Sequence, residues 1–146
     1  MPRYDDEEPL GVQFFRTHVG PSLDLSGLTL PKTFFGRSQI DATSLRNSDL
    51  RESVLCWCNF AGVDFSDCLM TGCDLRASEF ENCRFANTDL ASSDLRGSSF
   101  ENCDFTGANL RQARLTRAQA NDIRLSASQK LEIEWHDEDG PEPDGG

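Results

Sequence analysis

The chain has 146 residues and carries 25 acids against 14 bases, a formal net charge of −11, with 37% apolar residues. That length suits one domain, and no stretch approaches the roughly 20 apolar residues of a membrane span. So acidic a balance also speaks against direct binding to the phosphates of nucleic acid.

The first ten residues, MPRYDDEEPL, hold no apolar core of the kind a secretory leader requires. Six cysteines without a secretory signal predict a reducing, cytoplasmic setting. Residues 1–22 read as an N-terminal cap or arm, in which Val12, Phe14, Phe15 and Val19 are placed to cover the first coil of a repeat region.

From Leu25 onward every fifth residue is apolar, through Leu50, Met70, Leu90 and Leu110 to Leu125, 21 places without a miss. Chance gives such a run on the order of once in a billion. Two places before each lies a column of mostly small residues, among them Thr33, Ser48, Cys68 and Ser78. A period of five would carry successive marks right round an α-helix, so segment 23–127 is a solenoid that turns one corner every five residues. Phe-Glu-Asn-Cys at 80–83 returns at 100–103, and that echo of twenty closes a coil with four corners. Sorted by side, phenylalanine gathers on two walls: Phe60, Phe80 and Phe100 on one, Phe65, Phe85 and Phe105 on the next. Stacked aromatic ladders predict that sorting.

Units such as Ala108-Asn109-Leu110-Arg111-Gln112 and Cys73-Asp74-Leu75-Arg76-Ala77 resemble the Ala-Asp/Asn-Leu-x-x motif of pentapeptide repeat proteins. The resemblance implies an all-β fold, a right-handed quadrilateral β-helix, here of about five coils with short caps at both ends. It departs from the family's pattern at Thr33-Phe34-Phe35 and Ser53-Val54-Leu55, where apolar residues stand in place of Asp or Asn.

Beyond the repeats, Leu131, Ile133 and Trp135 alternate with Glu132 and Glu134, a strand-like pattern. Residues 128–136 read as a C-terminal cap, with Leu131, Ile133 and Trp135 either closing the last coil or forming a homodimer contact, as some relatives do. The acidic stretch 137–146 reads as a disordered tail.

Catalysis needs a cavity and converging polar groups, and a shaft filled by two inward side chains per repeat offers neither. The sequence reads as a non-enzyme without cofactor or metal. Cys58, Cys68, Cys73, Cys83 and Cys103 occupy the small inward column, where cysteine packs as a small hydrophobe. A Cys83–Cys103 bridge is the less favoured reading, because stacked side chains point the same way rather than at each other.

Two surfaces remain as candidates. Phe34, Val54, Cys56 and Trp57, rimmed by Arg37, are expected to face outward as a partner patch of the residue types enriched at interfaces; the alternative is that Phe14 or Phe15 covers them. Asp41, Glu79, Glu81, Glu101 and Asp122 form an acidic face without a base, next to a wall on which Arg37, Arg76, Arg96, Arg114 and Arg117 outnumber Asp74 and Asp94. The leading functional reading is a non-catalytic rod that binds a protein partner through these patches. The alternative follows from the resemblance: relatives that confer fluoroquinolone resistance are acidic, DNA-like rods that occupy the DNA-binding saddle of gyrase, which makes a type II topoisomerase the partner.

Overall fold

The corners share one cause. In a computed structural model, which describes residues 13–137 and side chains from Phe15 onward, the residue two places after each central apolar residue from Leu25 to Leu110 is left-handed. Asn47, Asn82, Asn87 and Asn102 take φ of 53–59° there, and Gly62, Gly72, Gly97 and Gly107 take 67–74°. Asparagine and glycine tolerate that region, which is why they recur at this place in the repeat. Bending every five residues leaves room only for strands of two or three residues or for single bridges.

One wall is a continuous parallel sheet. At its base β2 (His18–Val19) pairs with β5 (Gln39–Asp41), and above it lie β7 (Asn59–Ala61), β8 (Glu79–Glu81) and β9 (Ser99–Glu101). The register is twenty residues: Ile40 faces Phe60, Phe60 faces Phe80 and Phe80 faces Phe100. The other walls stack by bridges with the same offset, such as Asp49 to Leu69 and Asp64 to Arg84. The result is a right-handed quadrilateral β-helix of about six turns.

That is one turn more than the repeats predict, because residues 13–22 are coil rather than cap. β1 (Gln13–Phe15) pairs with β4 (Phe34–Gly36) at an offset of 21, as β2 does with β5. The offset returns to twenty where β3 (Leu23–Asp24) pairs with β6 (Thr43–Ser44). The slip falls at Gly20–Pro21, whose peptide bond is cis. Gly20 has φ +100°, and a Cβ there would overlap the Asp41 carbonyl, so only glycine fits. The rest of the expected arm, residues 1–12, and the tail from 138 onward lie outside the described residues.

The core follows the expected register. Phe60, Phe80 and Phe100 stack with centroids 4.8 and 5.0 Å apart, and Phe65, Phe85 and Phe105 do so at 5.0 and 4.8 Å. The two ladders meet edge to face across the corner, Phe60 against Phe65 at 73° and Phe100 against Phe105 likewise. The small column does more than save space. Ser78 Oγ donates to the Leu55 carbonyl and Ser93 Oγ to that of Met70, both at 2.6 Å, while Ser78 Oγ also accepts from Cys58 N–H. These hydroxyls satisfy buried backbone groups that the short strands leave unpaired.

The pattern breaks after β10 (Arg114–Thr116), where a 3₁₀ helix, Arg117–Asn121, and helix α1, Ala127–Glu132, replace the regular corners. Ala120 and Leu125, expected in the core, are therefore only partly buried. Leu131 is not on a strand: it sits on α1 and is 87% exposed. Register returns at β11 (Glu134–His136), where Trp135 lies over Leu115, and Ile133 is buried in the core.

Two glutamines that the apolar pattern does not reveal close this end. Gln119 accepts from Thr116 N–H through Oε1 and donates through Nε2 to the Leu95 and Ser98 carbonyls, all at 2.8 Å. Ten residues on, Gln129 repeats the arrangement with Ser126 N–H and the carbonyls of Phe105 and Ala108. Each is the last member of a capping box, Thr-x-x-Gln or Ser-x-x-Gln.

Candidate interaction surfaces

The aromatic patch lies low on the wall centred on Leu55, Leu75 and Leu95. Phe34, Val54, Asp74, Asp94, Arg114 and Glu134 form one outward column, each bridged to the next. Phe34 and Cys56 are buried, not outward as expected, while Val54 and Trp57 are half-buried and Arg37 is exposed. Phe34 is covered because Phe15, one rung below, stacks on it with centroids 6.4 Å apart. Cys56 lies back along the wall with its thiol toward the Asp74 carbonyl, and burial pushes that thiol well above its usual range.

What stays accessible is a stripe of rings and guanidiniums. The Arg37 guanidinium sits 5.2 Å from the centre of the Trp57 ring, and that of Arg16 lies 5.3 Å from the Phe15 ring, itself half exposed. Phe15 was expected at this patch only as the alternative cover, and Arg16 was not among the expected site residues, because the one-residue slip hides their place in the column. Trp57 occupies a left-handed corner with φ 59°. For a residue with a Cβ that conformation costs about 1–2 kcal/mol, and Lys32, Arg37, Glu52 and Gln112 take it at the same place in other repeats.

Higher on the same wall the expected excess of positive charge disappears. Arg76 is clamped to Asp74, Nε to Oδ1 and Nη2 to Oδ2, both at 2.9 Å, and Arg96 is clamped to Asp94 in the same way at 2.9 and 2.7 Å. Asp94 also lies 3.7 Å from Arg76 and 3.9 Å from Arg114, and Arg117 pairs with Asp137. Burial alone would raise the Asp74 carboxyl, but the bonds from Arg76 hold it below its ordinary value.

The acidic wall is different. Glu79, Glu81 and Glu101 are exposed on β8 and β9, with Glu81 directly beside Glu101, and none of the three makes an ion pair among the described residues. Asp41 belongs to the same column but is half-buried and meets His18 Nε2 at 2.7 Å. Asp122 does not join them, since the 3₁₀ helix carries it off the sheet as its C-cap.

All six cysteines are free thiols, five of them buried. Burial pushes Cys58, Cys68 and Cys73 up to about 12, so they are protonated and unreactive at neutral pH. Contact with Cys103, with burial added, pushes Cys83 higher still. Among the described residues no cluster of His, Cys, Asp or Glu could hold a metal ion, and no helix is long and apolar enough to cross a membrane. An open groove of about 360 Å³ at one corner is lined by Pro31, Lys32, Arg51, Glu52 and Thr71, with Arg51 held by Asp49 at 2.7 Å.

The twenty-residue rungs, the left-handed corners and the four walls find their counterparts in known proteins. The family of pentapeptide repeats (8 copies) matches residues 38–76, and the pentapeptide repeat region matches residues 73–138. This chain belongs to the pentapeptide repeat family. Comparison with curated proteins finds no match. Among solved pentapeptide repeat structures, the chain is similar to HetL from Nostoc sp. strain PCC 7120, described as involved in regulating heterocyst differentiation. The identity is 16% and the TM-score 0.64, over 69% of this chain and 48% of HetL, so the chain spans about half the length of that protein. Rfr23 from Cyanothece 51142 matches at 18% identity and TM-score 0.64, over 68% of this chain and 80% of Rfr23. A pentapeptide repeat protein of the Arabidopsis thaliana thylakoid lumen matches at 22% and 0.53, over 78% and 72%. At these identities the likeness concerns the pentapeptide repeat fold.

Proposed function

We propose that this pentapeptide repeat protein is a non-catalytic interaction rod that binds a protein partner through the low aromatic stripe of Phe15, Val54, Arg37 and Trp57. The observation that carries this reading is Trp57: a half-buried ring under a guanidinium, the one aromatic among the left-handed corners of the described residues. Desolvating such a ring in a complex contributes about 2 kcal/mol or more. The test is quantitative capture of partners from the native host by the wild-type protein and by Trp57→Ala, matched for folding by circular dichroism. A partner whose binding falls at least tenfold with Trp57→Ala supports the reading, and equal recovery of every partner by both proteins overturns it.

A second reading rests on the acidic wall. Glu81 and Glu101 present unpaired carboxylates one rung apart, about 4.8 Å, with Glu79 beside them on the same strand as Glu81, and so a cluster of negative charge on a rigid rod. A type II topoisomerase that grips DNA by its phosphates is the partner for such a cluster, as the resemblance to resistance-conferring relatives implies. On this reading the protein inhibits gyrase supercoiling, salt weakens the effect, and lysine at 79, 81 and 101 abolishes it. No inhibition at micromolar wild-type protein removes it.

A further inference from the structure

The four-letter echo in the sequence is a ladder in space. Phe-Glu-Asn-Cys at 80–83 lies one rung below the same four residues at 100–103. Phe80 stacks on Phe100 at 5.0 Å, Glu81 lies beside Glu101, and Asn102 Nδ2 donates to Asn82 Oδ1 at 2.6 Å. The next residues, Arg84 and Asp104, are bridged in the same register. Cys83 and Cys103 are therefore held as rung neighbours from both sides. Each thiol donates to the carbonyl of a phenylalanine in the coil below, Cys83 to Phe60 and Cys103 to Phe80, both at 3.4 Å. The reduced thiols thus hang parallel, and no bond joins them.

Of the six thiols only that of Cys103 is not buried, while Cys83 beneath it is 1% exposed. The difference comes from the coil above. β9 is the last strand of its sheet, and where a further rung would cover it the chain forms the 3₁₀ helix Arg117–Asn121. Contact with Cys103, together with burial, pushes the Cys83 thiol up. The same contact holds the Cys103 thiol below its ordinary range, against burial and the nearby Glu101 carboxylate. An accessible thiol that ionises readily, next to a second thiol, is the arrangement that peroxides oxidise selectively.

We propose that Cys103 is a modification site for hydroperoxides and that Cys83 resolves the product into a disulfide across the two rungs. The Cys103 thiolate attacks a peroxide oxygen, the O–O bond breaks, and the departing oxygen is protonated and leaves as water or an alcohol. Sulfur loses two electrons to the peroxide and becomes a sulfenic acid. The Cys83 sulfur then attacks the Cys103 sulfur, its proton joins the departing hydroxide as water, and the S–S bond closes. Adjacent rungs are about 4.8 Å apart, inside the roughly 4.4–6.8 Å that the Cα atoms of a disulfide span. The bond requires the Cys103 side chain to turn from the Phe80 carbonyl toward Cys83, and Cys103, with no strand above it, is the member of the pair with room to turn.

The test treats the reduced full chain with hydrogen peroxide, removes the peroxide, alkylates the remaining thiols in denaturant and reads intact and peptide masses. The wild type is expected to lose two alkylatable thiols, with Cys83 and Cys103 recovered in one disulfide. Cys83→Ser is expected to stop at the sulfenic acid, trapped by dimedone on Cys103, and Cys103→Ser to keep every remaining thiol at the same dose. Serine fills this small column in other repeats, at Ser78, Ser93 and Ser98, so both variants are expected to fold, as circular dichroism checks. A wild type that keeps all six thiols, or stops at the sulfenic acid, or pairs other cysteines, overturns the proposal. So does a Cys103→Ser variant oxidised as fast as the wild type, or a Cys83→Ser variant without sulfenic acid at Cys103.

Discussion

On the wall centred on Leu55, Leu75 and Leu95, the lower rungs hold Phe34 and Val54 where the upper rungs hold Asp74 and Asp94. All four take the same backbone position and the same bridges. Below, the column is sealed by aromatic stacking from Phe15; above, each carboxylate is clamped by the arginine two residues on. The inward columns are alike in both halves, so the shaft imposes little on what its outward places carry. Differences between rungs therefore report on surface chemistry more than on folding.

The comparison breaks most visibly inside the shaft, where the two halves should be equally intolerant. Phe85→Ala is expected to lower the unfolding free energy by about 3–5 kcal/mol, because a ladder ring held from above and below leaves a cavity that cannot collapse. The exposed neighbour change Arg84→Ala should cost less than about 0.5 kcal/mol; similar denaturation midpoints for the two would refute the inward and outward assignment. Next comes the upper end: Gln119→Ala strands the Thr116 N–H and two carbonyls in a buried setting, an expected loss of about 2–3 kcal/mol in chemical denaturation.

The clamps sharpen the contrast through pH. The Asp74 carboxyl is held below its ordinary 3.8 in the folded protein, so its stabilising contribution is complete above the unfolded value and is lost as pH falls through the folded one. Stability measured from pH 6 down to pH 2 should fall less steeply in Asp74→Asn than in the wild type, while Val54→Ala on the lower rung leaves the slope unchanged. The smallest effect belongs to Trp57: replacing it by Asn removes an unfavourable left-handed tryptophan, and stability should hold or rise by up to about 1 kcal/mol. A clear loss would mean that Trp57 serves the fold rather than a partner.

The shaft was legible because its period has one dominant physical cause: an inward side chain every five residues, read directly from Leu25 to Leu125. What escaped the reading has local causes that a fixed period cannot carry. The glycine-specific slip at Gly20 shifts Phe14 and Val19 by one place, so a true coil looks like an arm. At the other end Leu131, Ile133 and Trp135 alternate as a strand would, yet Ser126-x-x-Gln129 starts a helix that takes Leu131 outward. The Thr-x-x-Gln and Ser-x-x-Gln pairs were visible in the sequence and carried that signal. At the aromatic patch, residue type pointed to the surface, and the alternative, that Phe14 or Phe15 covers the patch, holds for Phe34, which Phe15 buries from the preceding coil.

The left-handed corner at every fifth residue makes the shaft behave as a four-position ratchet. Adding or removing one repeat turns every rung beyond it by about a quarter of a circle about the long axis while every residue keeps its inward or outward sense. A change of four repeats alters only the length. Repeat number can thus aim an outward cluster such as Glu79, Glu81 and Glu101 toward a different side of the molecule without redesigning it, with the broken phenylalanine ladders at the junction as the cost.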